Sequence, residues 1–269
     1  MICIMENNKF KTAYRLTLPI AVLAALASAG GLWMEGLYRD APFFKRAFQG
    51  NDVVTLFVAV PLLLASVVYS RRGKRQAPLV WAALLGYMVY NYAFYLFGAA
   101  FNWFFQVYVA LFALSVYALI YLLAGLDATG LSSGFSGRTP VRWISAYMLF
   151  IGLFLGVFEL VRSLSLFTTG QPPADPPLVF ALDLSLIVPA MITGAVWLWQ
   201  RRPWGYVLAA MMTLKGANYG LALVVMAAFV AGFRWSGNWD PFTPFYVFVA
   251  AGGILASWLL FRHFDRQTS

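Results

Sequence analysis

This sequence predicts an all-α polytopic membrane protein: eight transmembrane helices, arranged as two parallel four-helix repeats related by a pseudo-two-fold axis along the membrane normal. Three observations carry the prediction. The first is composition: of 269 residues, 62% are apolar, 18% aromatic and 11% charged, with a mean hydropathy of +0.74. A soluble chain is about half apolar and about a quarter charged. Eight spans of ~20 residues use ~160 positions, close to the apolar count. The second is the placement of basic residues, and the third is an echo between the two halves. No interval between apolar blocks is long enough for an extramembrane domain, so a soluble enzyme, a disordered chain and a single anchor with a folded head are excluded.

Taken in order, the first span is expected at 16–34, behind a basic lead (1–15) carrying Lys9, Lys11 and Arg15. This start resembles a secretory leader, with Ala27-Ser28-Ala29 where a cleavage site would fall. The apolar run continues through Leu32, Trp33 and Met34, longer than a leader's core, and the helix is therefore retained. The second, third and fourth spans follow at 53–70, 78–99 and 104–124, with Arg71, Arg72, Lys74 and Arg75 between the second and third. A linker at 125–142, with Arg138 and Arg142, leads to the fifth span at 143–162 and the sixth at 178–199. Arg201 and Arg202 precede the seventh span at 204–231, and the eighth covers 245–262 before a tail at 263–269. The repeats are thus expected at 16–124 and 143–262.

Thirteen of the 19 basic residues fall on one side of this arrangement, counting Arg262 and Arg266 after the last span. The positive-inside rule then places both termini in the cytoplasm, with the chain in the plasma (inner) membrane. The net charge of +9 is accordingly read as a topology signal with anionic-lipid contact, not as a nucleic-acid surface. The bilayer is the expected partner; the oligomeric state is not legible. Cys3 is the only cysteine and His263 the only histidine. That excludes a disulfide framework, a thiolate metal site and bis-histidine haem ligation within one chain. No cofactor and no metal are expected.

The echo is an ordered set of residues. Asp52, Pro61, Arg71-Arg72, Asn91-Tyr92, Asn102-Trp103 and Tyr108-Val109 recur as Asp183, Pro189, Arg201-Arg202, Asn218-Tyr219, Asn238-Trp239 and Tyr246-Val247. Glu35 with Arg39 and Glu159 with Arg162 end the preceding helices. Weak internal symmetry of this kind is common in transporter folds. Gly152 and Gly156 form GxxxG in the fifth span, and the first span is rich in small residues. Both are expected near the junction of the halves, because small residues let helix backbones approach.

Buried polar residues nominate a site. Glu159 and Asp183 fall inside their helices, whereas Asp52 is expected at a helix end. Lys215 shares a face with Asn218 and Tyr219, at i+3 and i+4. Tyr87, Tyr90, Asn91 and Tyr95 make a matching stripe on the third span. Charged groups at such depth cost about 2.5–3.5 kcal/mol each on insertion scales and should face the bundle interior. A ligand- or ion-binding site is therefore expected in the outer half of the second repeat, from Glu159, Asp183, Lys215, Asn218, Tyr219, Asn91, Tyr87 and Arg162. The leading expectation is binding or transport of a small molecule or ion. The alternatives are an intramembrane acid–base enzyme or lipid-binding protein, and an accessory structural subunit. Hydrolase nucleophile motifs, HExxH and paired aspartate metal motifs are absent from the sequence.

Overall fold

A computed structural model describes residues 9–170, 176–234, 236–237 and 239–264. Cys3, Asn238 and Arg266 lie outside the described residues. The fold is 82% helix, and no strand occurs among the described residues. Among the described residues, eight helices are long and apolar enough to cross a membrane: Lys11–Trp33, Pro42–Arg71, Ala77–Gly98, Phe105–Gly125, Val141–Thr169, Pro177–Trp199, Pro203–Ala231 and Thr243–Phe261. They are called the first to eighth spans below.

Two spans run well beyond their expected limits, each for a local reason. The second begins at Pro42, eleven residues before position 53. Proline suits a first helical turn because its missing N–H would have no partner there. Lys45, Arg46, Gln49, Asn51 and Asp52 depress hydropathy over this stretch, yet Phe44, Phe48, Asn51, Asp52 and Thr55 recur at helical spacing. Asp52 is therefore inside a continuous helix and not at its end. The fifth span continues to Thr169, where Gly170 closes it in the left-handed region at φ 66°. Arg162 accordingly lies within the helix rather than at its rim.

By packing, the chain forms two compact units, Met1–Leu126 with Leu214–Gly253, and Asp127–Thr213 with Ile254–Ser269. In the first unit, the first span packs on the second and fourth, and the third span packs on the second and fourth. The third span is the most enclosed, with Leu79, Trp81, Leu85, Tyr87 and Met88 fully buried. Two glycines bring backbones together here. A Cβ on Gly50 would lie 2.7 Å from Met226 Cα, and one on Gly220 would lie 2.6 Å from the Ala250 amide nitrogen.

In the second unit, the fifth span packs along the sixth. A Cβ on Gly152 would lie 3.0 Å from Met191 Cβ, and one on Gly156 would lie 3.0 Å from Val188 Cγ1. The GxxxG face is thus occupied by the sixth span, its neighbour in sequence. The small residues of the first span also serve a local purpose: Gly31 lies against Asp52 and Tyr38.

A matching irregularity interrupts the second and sixth spans. Thr55–Ala59 and Asp183–Ile187 are single π-helical turns, and each runs directly into an α-helix with proline at its second residue, Pro61 or Pro189. Both helices end in the same turn. The amides of Arg72, Gly73 and Lys74 donate to the carbonyls of Val68, Ser70 and Tyr69. Those of Gln200, Arg201 and Arg202 donate to Val196, Leu198 and Trp197. Gly73 and Arg201 both have positive φ, 75° and 54°. All these pairs share one spacing, which sets Tyr87 against Lys215, where the Asn-Tyr dipeptides alone would set Met88 there.

Candidate functional site

A group of buried polar side chains in the first unit is built on the second span where it enters its π-turn. Asn51, Asp52 and Thr55 are all buried. Their i, i+1, i+4 spacing puts them on one side of the helix, facing the tyrosine stripe of the third span. The Tyr38 hydroxyl donates to Asp52 Oδ2, and the Tyr95 hydroxyl lies 3.0 Å from Asp52 Oδ1. Asn51 Nδ2 donates to Asn91 Oδ1 at 2.8 Å and to the Tyr95 hydroxyl at 3.0 Å. The Tyr87 hydroxyl reaches Asn51 Oδ1 at 3.3 Å and pairs with Thr55 Oγ1 at 2.8 Å. If Tyr87 gives its one proton to Asn51, Thr55 must donate to Tyr87, so the network has a single consistent direction at this end.

Aromatic rings enclose the carboxyl. Tyr38 and Tyr95 each pack on Phe48, at centroid separations of 5.1 and 5.2 Å, and Tyr108 packs on Tyr95 at 5.2 Å. Ser28 lies beside Asp52 and Tyr92. Gly31 completes the enclosure, since a Cβ there would collide with both the Asp52 carboxylate and the Tyr38 hydroxyl. Tyr38 sits in the connection between the first two spans. Burial pushes its phenol well above the ordinary tyrosine range, with Tyr95 and Asp52 adding to the effect.

Among the described residues Asp52 has no ion pair with a basic side chain; its partners are hydroxyl groups. An ionised carboxylate buried without a cation carries a penalty of several kcal/mol. Hydroxyl donors offset part of it, and a proton or a bound cation would offset the rest. The shell also keeps spare hydrogen-bonding capacity. Asn91 Nδ2, the Tyr92 and Tyr108 hydroxyls, Ser28 Oγ and both amide atoms of Asn218 are buried without a hydrogen-bond partner.

The residues expected from sequence fall in both units. Tyr87 and Asn91 belong to the Asp52 network and are joined through Asn51. Lys215, Asn218 and Tyr219 belong to the same unit. The Lys215 ammonium lies 3.9 Å from the Tyr90 ring centroid and 5.2 Å from that of Tyr219, and the two rings meet edge to face at 4.9 Å. Asn218 neighbours the Tyr87 hydroxyl without closing a hydrogen bond to it. Glu159, Asp183 and Arg162 belong to the second unit, where both carboxyls are buried. Arg162 holds its guanidinium 5.4 Å from the Phe180 ring centroid.

Sequence reasoning passed over Asn51, Asp52, Thr55 and Tyr38. The available signal was the Asn-Asp-x-x-Thr spacing behind a proline start. Asn102, one of the echoed residues, proves to be a turn residue: its Oδ1 accepts from the Phe104 amide at 2.9 Å. Asp240 makes the same kind of turn, its Oδ1 accepting from the Phe242 amide at 2.8 Å. Comparison with known protein families, curated proteins and solved structures finds no match for this chain.

Proposed function

We propose that this integral membrane protein binds or transports a small molecule or ion in a proton-linked cycle, with Asp52 as the group that takes up and releases the proton. The observation that carries the reading is a membrane-buried carboxyl enclosed by tyrosine hydroxyls and lacking a basic partner among the described residues. Ionisable groups inside membrane bundles are functional candidates by default because their burial is costly. The rings around Asp52 pack on one another, and a proton is the smallest species that neutralises the carboxylate without displacing them. Asn91, Tyr92 and Tyr108 supply further donors for a ligand or for water at the same place.

Lys215, Asn218 and Tyr219 extend this polar region within the unit, together with Tyr87. Glu159, Asp183 and Arg162 are the charged groups of the second unit in the same reading. The paired π-turns and the identical turns after them support descent of the two halves from one duplicated four-helix segment. The basic loops support cytoplasmic termini in the plasma membrane.

The test is reconstitution into proteoliposomes containing a pH-sensitive dye, with an imposed pH gradient. Wild type is expected to dissipate the gradient and Asp52→Asn to leave it standing, with folding of both checked by size-exclusion chromatography. Equal rates for the two, or no flux from wild type, would remove the proton-linked reading.

A further inference from the structure

A recess of about 380 Å³ lies in the second unit, beside the basic residues Arg142 and Arg201. It is lined by Thr139, Pro140, Val141, Arg142, Trp143, Trp199 and Arg201. We infer that it holds the phosphate of an anionic phospholipid headgroup.

The site is built rather than incidental. Arg201 adopts a left-handed backbone at φ 54°, which favours glycine, and its guanidinium is anchored on both sides. It donates to the Gly137 carbonyl at 3.1 Å and to the Tyr206 hydroxyl at 3.4 Å. Tyr206 in turn stacks on Phe135 at 4.6 Å, which pins the linker that carries Thr139. A guanidinium has five N–H donors, so two anchoring bonds leave capacity for an anion. Arg142 is exposed and stands in the first turn of the fifth span, which starts without a side-chain cap and so presents the positive end of a 29-residue helix.

The independent observation is Thr139. The residue is 2% exposed, and its Oγ1 is buried with no hydrogen-bond partner, although it lines the recess. A buried hydroxyl without a partner carries a desolvation penalty that a phosphate oxygen would relieve. Trp143 and Trp199, both largely exposed, flank the recess. Tryptophan at such a position sits at headgroup level, and that favours a lipid phosphate over a free anion.

The test is native mass spectrometry of the full chain released from nanodiscs of equal phosphatidylglycerol and phosphatidylcholine. One phosphatidylglycerol is expected to be retained in preference. Arg142→Gln should lower its retention about fivefold, the effect of one basic side chain near a membrane surface. Thr139→Val should lower it about three- to tenfold through the lost hydrogen bond. Arg15→Gln, at an exposed arginine outside the recess, should not change it. Equal retention of the two lipids, or Arg142→Gln behaving as Arg15→Gln does, would overturn the inference. Displacement of the lipid by an equal concentration of inorganic phosphate would overturn the lipid source.

Discussion

Gly31→Ala is the smallest change that reaches the Asp52 shell. The added methyl would collide with Asp52 Oδ2 and the Tyr38 hydroxyl, two atoms bonded to each other. Neither is the free end of a flexible chain. Asp52 is also held by Tyr95, and Tyr38 packs on Phe48. Overpacking of this kind costs about 1–3 kcal/mol, and losing a hydrogen bond to a charged group costs about 1.5–3 kcal/mol. The expected destabilisation is therefore about 2.5–6 kcal/mol. Gly216→Ala is the control, because a Cβ there meets nothing within 4 Å. It should be neutral or stabilising by up to about 1 kcal/mol, since alanine is the better helix former. Both are read by denaturant unfolding in the same detergent. Adding Asp52→Ala to Gly31→Ala removes the obstructing carboxylate, so the double variant should recover at least ~1 kcal/mol relative to additivity. If Gly31→Ala is as mild as Gly216→Ala, the packed shell around Asp52 is wrong.

Gly50→Ala and Gly220→Ala should each destabilise the first unit by about 1–3 kcal/mol, since their Cβ atoms would press on backbone atoms that cannot swing away; unfolding midpoints beside Gly216→Ala check this. Thr55→Val should cost about 0.5–1.5 kcal/mol, because Tyr87 keeps its bond to Asn51. Asn51→Leu strips partners from Asn91, Tyr87 and Tyr95 together and should cost about 2–4 kcal/mol, measured by the same unfolding assay. The Tyr38 phenol holds its proton more tightly when folded than when unfolded. Its contribution is thus fully present below the unfolded value of about 10 and is lost as pH rises beyond it. Unfolding measured up an alkaline series should show stability falling above about pH 10, with a shallower fall in Tyr38→Phe.

How much could be read from the chain depended on the kind of signal. Span number and type followed from hydropathy, which reports burial in lipid directly. Hydropathy failed where a span carries a polar face. Lys45 to Asp52 look like a loop by average hydropathy, and only the helical recurrence of Phe44, Phe48, Asn51 and Thr55 behind Pro42 shows otherwise. That error moved Asp52 to a helix end and turned attention to the charges of the second half. Tyr87 and Asn91 were legible because a polar stripe on an otherwise apolar helix stands out. Tyr38 was not, since a connection residue reaches Asp52 only through the tertiary path of the chain. The GxxxG pair illustrates the converse. The motif announces close packing but carries no information on which helix fills it, and the sixth span does.

The most direct test of the Asp52 assignment is infrared difference spectroscopy of the reconstituted protein as pH is stepped from about 4 to about 9, a range that brackets carboxyl titration in proteins. A carboxyl band is expected to interconvert with its carboxylate within this range and to disappear in Asp52→Asn. A spectrum in which the Asp52 signal is the same at every pH, or in which Asp52→Asn removes nothing, contradicts it.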